Sequence, residues 1–270
     1  MRELRLFLIF TLVISAISLA APAMAEKVLF FTPSRVLLND QDRVEVVNVS
    51  NLSSIARAYS ISVKDLIMTE EGVTSEVDSF EFSARRLVRF VPRQFVLQPG
   101  ERQTIRVMTR LSKDLPDGEY HSHMQFLENV QKRDEINPKL RDEGASMQAP
   151  LAYSTLIPII ISHGDIQTEI GANSAKIVDG RNGVKGVELE LTRSGNGQGT
   201  AYIDTEYHFA DGTTATAAPR STAYIYRELD QRKKIVQLQQ PEKEAKSVTV
   251  KIFGNAEKDA EPVKTFDLDM

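Results

Sequence analysis

The chain has 270 residues, of which 41% are hydrophobic and 26% charged, with 33 basic against 37 acidic side chains. These proportions are typical of a globular protein and exclude a disordered, collagen-like or polytopic membrane chain. The net charge of −4 gives no general attraction to nucleic acid or to an anionic membrane surface. The absence of cysteine excludes a disulfide framework, a thiolate zinc site and a cysteine nucleophile.

The first 25 residues have the pattern of a secretory signal peptide. Arg2 and Arg5 precede the apolar run 6–21, and Ala23 and Ala25 supply the small residues of a cleavage site. The alternative is a membrane anchor, but the run is shorter than the ~20 residues that a transmembrane helix needs. We therefore predict a signal peptide at 1–25 and an exported mature chain that does not insert into the membrane. In a Gram-negative host, its location would be the periplasm.

Period-two alternation of apolar and polar residues dominates the remaining sequence. The clearest examples are 43–46, 58–63, 104–107, 187–192 and 248–252. Alternation of this kind is typical of strands in antiparallel sheets that bury one face. Short strands with frequent turns predict an all-β protein, and roughly fourteen candidate strands suffice for two sandwiches of about seven. The turn at His163-Gly164-Asp165 predicts domains at 26–163 and 164–270.

One charged segment interrupts the strand pattern and precedes a long apolar run. Eight of the fifteen residues in 131–145 are charged, which predicts a mobile loop. The following run, 147–161, alternates so that 147, 149, 151, 153, 155 and 157 share one face. A long apolar strand entered from a flexible loop indicates a sheet edge that is open to another chain. For residues 155–161 the sequence favours a place in the core.

Several motifs carry a resemblance to a known family. Near the mature start stands Phe31-Thr-Pro-Ser-Arg35-Val-Leu-Leu, and later come Pro92-Arg-Gln-Phe-Val-Leu-Gln-Pro-Gly100 and Leu115-Pro-Asp-Gly-Glu-Tyr120. In this order and spacing they resemble the N-terminal domain of the periplasmic chaperones of the chaperone–usher pilus pathway. The segments 191–196 and 224–232 resemble the second domain of divergent members. The resemblance covers most of 26–165 well and the remainder weakly.

The resemblance implies a fold and a function. The fold would be two immunoglobulin-like β-sandwich domains arranged at an angle. The function would be that of a periplasmic chaperone that caps pilin or fimbrial subunits by donor-strand complementation and delivers them to an outer-membrane usher. The alternative is a secreted structural or adhesive β-sandwich protein without client transfer.

The resemblance also assigns a donor strand. Its side chains that enter the groove of the subunit would be Met147, Ala149, Leu151 and Tyr153. Pro150 lacks a backbone donor, which interrupts continuous pairing there. The alternative for this segment is an ordinary strand of the protein's own core.

The family holds the terminal carboxylate of the subunit with two basic residues in the cleft between the domains. Arg35 matches the first, and a planar guanidinium suits a carboxylate because it donates two parallel hydrogen bonds. From the residues alone, a solvated strand arginine is the alternative. The second anchor is missing, because Pro158 stands at or near its position and no Lys or Arg lies between 145 and 161. His163 is a further candidate donor.

Other chemistry has little support in the sequence. His121 and His123 share a face of a predicted strand, a spacing that can begin a metal site, but no third ligand is apparent. Two half-exposed strand histidines are the favoured reading. No nucleophile elbow, dinucleotide fingerprint or phosphate-binding loop is present. We therefore expect neither an enzyme nor a bound cofactor or metal, and no nucleic-acid partner.

Overall fold

A computed structural model describes residues 28–138, 152–180, 183–257 and 259–270. The predicted signal peptide and three of the predicted donor residues, Met147, Ala149 and Leu151, lie outside these ranges. Within the ranges, no helix is long and apolar enough to cross a membrane.

The first part of the chain forms ten strands and a short helix. They are β1 (Leu29–Thr32), β2 (Val36–Leu38), β3 (Val44–Asn51), β4 (Arg57–Met68), β5 (Thr74–Val77), β6 (Val88–Val91), β7 (Gln94–Leu97), β8 (Arg102–Thr109), β9 (Gly118–Glu128), α1 (Val130–Ile136) and β10 (Ser154–His163). One sheet has the order β1-β3-β8-β6, and the other has the order β2-β10-β9-β4-β5 with β7 also paired to β4.

This topology is that of an immunoglobulin-like sandwich. If β1, β3, β4, β6, β8, β9 and β10 are strands A to G, the two sheets are ABED and the GFC group. The Tyr120 hydroxyl, near the start of β9, donates to the Pro116 carbonyl oxygen at 2.8 Å, as in the tyrosine corner of such domains. The predicted all-β, immunoglobulin-like fold is confirmed for this part of the chain.

Alternate residues of both sheets fill the core between them. Phe126 is fully buried, and its ring lies 4.8 Å from that of Phe31 and 6.5 Å from that of Phe95. Strand β10 contributes Ile157, Ile159 and Ile161 to the same core. The core prediction is therefore confirmed for these three residues.

A four-residue connection, 164–167, joins β10 to the second sandwich. Its strands are β11 (Thr168–Asp179), β12 (Lys185–Gly195), β13 (Gly199–Phe209), β14 (Thr214–Ile225), β15 (Gln231–Gln237), β16 (Ala245–Phe253) and β17 (Lys264–Asp269). They form the sheets β11-β12-β15 and β14-β13-β16-β17. Fully buried Leu189, Leu191 and Ile252 pack between the sheets.

The charged segment after β9 does not begin as a loop. Residues 130–136 form α1, so the prediction of a mobile loop is wrong for this stretch. The Asn129 side chain caps the helix by accepting from the Lys132 amide at 2.9 Å, and Asn137 at the other end donates to the Ala56 carbonyl oxygen at 2.7 Å. Side-chain caps thus order a helix that has no buried residues of its own. Residues 139–151 lie outside the described ranges.

Candidate functional site

Strand β10 has one covered and one partly open edge. It pairs antiparallel with β9 over its whole length, from Ser154 to His163. On the other side it pairs parallel with β2, but only over 159–161. Among the described residues, no strand pairs with this side of 154–158. Backbone groups that point to that side are therefore available to another chain.

The hydrogen-bond pattern shows which backbone groups face the open side. The Tyr153 carbonyl oxygen accepts from the Glu128 amide at 2.9 Å, so residue 153 bonds toward β9. In an antiparallel ladder, successive residues alternate between bonding to one side of the strand and pointing to the other. Residues 155 and 157 therefore also bond to β9, whereas the backbone groups of Ser154 and Leu156 point to the open side. Pro158 falls on an outward-facing position, where its missing N–H costs no bond to β9.

Apolar side chains line the open segment. Leu156 is 40% exposed, and on the neighbouring strand Leu127, which lies opposite Ser154, is 41% exposed. Residues 155–161 are therefore not uniformly core as predicted, because Leu156 faces solvent. A strip of exposed leucines beside an unpaired strand edge has the composition that an added β-strand can cover.

Tyr153, the one predicted donor residue within the described ranges, is held in place at the start of this segment. Its amide donates to the Glu128 carboxylate at 3.2 Å, and the Arg57 guanidinium lies 5.1 Å from the centre of its ring. Arg57 and Glu128 form a buried ion pair at 2.7 Å. The tyrosine ring remains 45% exposed, so a fixed backbone presents an accessible aromatic side chain.

Arg35 lies at the other end of the open edge. It directly precedes β2, whose first residue pairs with Ile159. Its guanidinium lies 3.9 Å from the centre of the Tyr224 ring and donates to the Gln198 side-chain oxygen at 3.3 Å, both in the second sandwich. No acidic residue of the described chain forms an ion pair with it. The cleft between the sandwiches therefore holds a half-buried guanidinium that forms no ion pair with a described residue.

A histidine pair lies in the same cleft. The sequence predicted that His121 and His123 are half-exposed, which is wrong, because the second sandwich covers both of them. The His121 Nε2 atom lies 2.8 Å from the Glu228 carboxylate, and the His123 Nε2 atom lies 3.3 Å from the Tyr226 hydroxyl. The Nδ1 atoms of both rings have no hydrogen-bond partner among the described residues. No group of three or more His, Asp or Glu side chains in the described chain is arranged to hold a metal ion.

The electrostatics of the cleft favour neutral His123 and charged Glu228. Burial, together with the nearby His121 and Arg35, lowers the pKa of His123 to about 4, although Glu228 and Asp65 act in the opposite direction. Burial alone would raise the pKa of Glu228, but hydrogen bonds from His121 and the Met68 amide outweigh it and hold this pKa below its usual value. At neutral pH, Arg35 therefore contributes a charge that His123 does not.

The two other predicted positions differ in their surroundings. Pro158, which stands at the position of the second basic residue of the family, lies directly across from His123 on β9. An imidazole is therefore the side chain next to this position. His163 instead binds the Asp40 carboxylate at 2.8 Å and lies at the junction of the sandwiches. The hydrogen bond from the Gly164 amide, followed by that from His163, lowers the pKa of Asp40.

Sequence reasoning did not identify the part of the site that comes from the second sandwich. Gln198, Tyr224, Tyr226 and Glu228 all contact cleft residues of the first sandwich. Each is more than 100 positions away from its partner, so neither local spacing nor alternation could connect them. The segment 224–232 was notable in the sequence only through its resemblance.

Comparisons with known proteins give matches at the level of structure alone. No family model matches the chain, and no curated protein matches it. A solved chaperone–tip adhesin complex of CFA/I fimbriae biogenesis shares 14% identity over 88% of this chain and 96% of that chain, with a TM-score of 0.45. The YadV chaperone shares 12% sequence identity over 90% of this chain and 100% of that chain, with a TM-score of 0.44. The CsuC–CsuE chaperone–tip adhesion subunit complex of Acinetobacter baumannii shares 10% sequence identity over 89% of this chain and 97% of that chain, with a TM-score of 0.43. The solved structures that this chain resembles here are those of fimbrial and pilus chaperones.

Proposed function

We propose that this protein is a periplasmic chaperone that caps incomplete pilin or fimbrial subunits and passes them to an outer-membrane usher. The observation that carries the proposal is the open edge of β10, which begins beside the fixed Tyr153 and ends beside Arg35. The proposal includes no catalytic step and no cofactor.

Strand addition explains why an apolar strand is left unpaired. A client whose sandwich lacks a strand exposes its own core, and β10 with the preceding residues would supply both main-chain bonds and alternate side chains. Met147, Ala149 and Leu151 would extend the face of Tyr153 beyond the described residues. Each large apolar side chain that leaves water would contribute about 1.5–3 kcal/mol before ordering costs are subtracted.

The position of Arg35 favours one direction for the added strand. A strand along 154–158 would continue the line of β2 and would end where Arg35 stands, because β2 already occupies the place beside 159–161. If it runs parallel to β10, its carboxyl end reaches the guanidinium and is attracted to it. If it runs antiparallel, it brings an amino end to a positive charge. We therefore propose a parallel client strand whose terminal carboxylate binds Arg35.

The carboxylate clamp proposed here contains one cation and neutral donors. Because the pKa of His123 is lowered to about 4, His123 does not replace the missing second cation at neutral pH. The Gln198 amide and the Tyr226 hydroxyl stand beside Arg35 and His123 and would supply neutral hydrogen bonds.

The open edge is tested by removing one outward-facing N–H. In cells that co-express the chaperone with a fimbrial subunit, Leu156→Pro is expected to reduce recovery of the complex at least about tenfold, since proline cannot donate to an added strand. The matched control Leu156→Val keeps the N–H and is expected to retain the client. Circular dichroism and the melting temperature of both free proteins verify that the fold is intact. Full recovery of the client by a folded Leu156→Pro protein contradicts strand addition at this edge.

The carboxylate clamp is tested separately with two clients. For a purified subunit with its natural terminus, Arg35→Ala is expected to raise the Kd by about 10- to 100-fold, the cost of a charged hydrogen bond. For a subunit extended by two residues, which displaces the carboxylate, the same substitution is expected to change the Kd little. An equal loss for both clients means that Arg35 does not bind the carboxylate.

A further inference from the structure

The outward face of the sheet β1-β3-β8-β6 carries arginines and apolar side chains but no acid. Strand alternation assigns twelve positions to this face, and none of them is Asp, Glu or Lys. They are Phe30, Thr32, Val44, Val46, Asn48, Ser50, Arg89, Val91, Arg102, Thr104, Arg106 and Met108.

The strand register places the arginines among exposed valines. Arg106 on β8 lies between Val46 on β3 and Val91 on β6, and these two valines are 42% and 54% exposed. Arg89 lies one row away, opposite Met108, and Arg102 lies two rows away in the other direction, opposite Ser50. Because strands are about 5 Å apart and alternate residues about 7 Å apart, the three arginines fall within about 20 Å.

The charges of these arginines are not compensated within the described chain. The Arg106 backbone pairs within the sheet, but its side chain forms no hydrogen bond or ion pair with any described residue. Arg102 donates only to the Ser50 hydroxyl at 3.4 Å, and Arg89 donates only to backbone carbonyl oxygens. By contrast, exposed Arg220 of the second sandwich makes two hydrogen bonds to Asp204, at 2.6 and 2.7 Å. Three unpaired guanidinium groups on one flat face attract a partner of opposite charge.

We propose that this face docks an acidic surface of a partner protein. The composition of the face matches that of protein interfaces, which are enriched in arginine, methionine and aromatic residues and depleted of lysine, glutamate and aspartate. A membrane would attract lysine as well as arginine, whereas planar guanidinium groups are suited to paired carboxylates. The exposed valines would supply the apolar contacts between the ion pairs.

The face points away from the edge described above. It belongs to the sheet opposite to that of β10, on the other side of the core that contains Ile157, Ile159 and Ile161. An acidic partner can therefore bind while the β10 edge is occupied. The inference is independent of the proposed clamp at Arg35 and holds for any role of β10.

The test uses the full-length protein in the cells that produce it. A photo-cross-linking amino acid replaces Thr104 on the face, and another replaces exposed Lys251 on β16 as the control position. We expect an adduct of one protein at 104, with aspartate or glutamate at the cross-linked site, and none at 251. Arg106→Glu is expected to reduce the yield of the adduct at least tenfold, and Lys251→Glu is expected to leave the yield unchanged. When the partner's carboxylate is replaced by arginine, the adduct of the Arg106→Glu protein is expected to return.

Two outcomes overturn the proposal. The first is a cross-linking result at 104 that does not depend on charge. Either the adduct persists in Arg106→Glu, or it is lost there and is not restored when the partner's carboxylate is replaced by arginine. The second is flotation of the purified protein with vesicles of 30% phosphatidylglycerol and 70% phosphatidylethanolamine that Arg106→Glu abolishes, since the partner would then be a membrane surface. Circular dichroism of Arg106→Glu verifies the fold, which is expected to persist because the exposed Arg106 side chain forms no hydrogen bond or ion pair with a described residue.

Discussion

The two halves of β10 belong to one continuous strand but have different surroundings. Residues 159–161 are isoleucines between β9 and β2, and all three are buried. Residues 154–158 continue the same strand and the same pairing with β9, but nothing described lies on their other side, and Leu156 faces solvent. Two neighbours cause the difference. Strand β2 pairs only with 159–161, and Tyr226 and Leu229 of the second sandwich pack with the Ile160 side chain. The elements beside and above each half decide which of its side chains are exposed, and Ile157 of the open half is still buried in the core.

The two halves are also held by different interactions. Apolar packing holds the covered half in the core of the first sandwich. The start of the open half is held by the buried pair of Arg57 and Glu128, which binds the Tyr153 amide. Under the proposed function, no neighbouring strand of the same chain can occupy the open side of the edge. Polar interactions on the β9 side fix it instead.

The largest effect is expected from removing the carboxylate that holds the open half. Glu128→Ala leaves Arg57 buried without its counter-ion, and loss of one partner of a buried pair costs about 3–5 kcal/mol of the free energy of unfolding. Urea denaturation followed by circular dichroism measures this loss. The control Glu76→Ala breaks the exposed pair with Lys64 and is expected to cost less than about 1 kcal/mol. If both variants lose equally little, packing alone fixes the open half.

A second experiment compares the two halves directly. Ile159→Ala creates a cavity in the core and is expected to lower the free energy of unfolding by about 2–5 kcal/mol. Leu156→Ala removes an exposed side chain, and the expected change is within about 0.5 kcal/mol. Urea denaturation under the same conditions measures both. Similar losses would mean that the open half is already covered in the free protein.

The sequence predicted the strands better than their neighbours. Alternation identified β3, β4, β8 and β12. The apolar run 155–161 was predicted to lie in the core as a whole, which is confirmed for Ile157, Ile159 and Ile161 and wrong for Leu156. Alternation could not reveal that β2 begins only opposite Ile159, since pairing between distant segments leaves no local pattern. For the same reason it did not show that the second sandwich buries His121 and His123.

The cleft at the covered end predicts a pH dependence. The pKa of His123 is about 4 in the folded protein against 6.5 for an unperturbed histidine, so the unfolded chain takes up this proton first as the pH falls. His123 thus destabilises the fold progressively between about pH 6.5 and 4, by up to about 3 kcal/mol, and has no such effect above pH 6.5.

Replacement of His123 isolates its share of this pH dependence. In His123→Gln, which keeps a hydrogen-bonding group for Tyr226, the decrease in the free energy of unfolding from pH 7.5 to 4.5 is expected to be smaller than in the unsubstituted protein. Urea denaturation at the two pH values provides the comparison. Equal decreases in both proteins would mean that water reaches the ring and that the sandwiches separate more easily than their contacts indicate.

The smallest effect on the free protein is expected from Arg35, at the boundary between the halves. Its interactions within the chain are one hydrogen bond at 3.3 Å and stacking on Tyr224, each worth no more than about 1 kcal/mol at a half-buried site. Arg35→Gln is therefore expected to lower the free energy of unfolding by about 1 kcal/mol or less, as measured by urea denaturation, although its effect on a bound carboxylate would be large. A loss above 2 kcal/mol in the free protein would place Arg35 with the covered half, as a structural link between the sandwiches. A small loss would mean that the Arg35 charge contributes little to the fold, as the proposed binding of a client carboxylate requires.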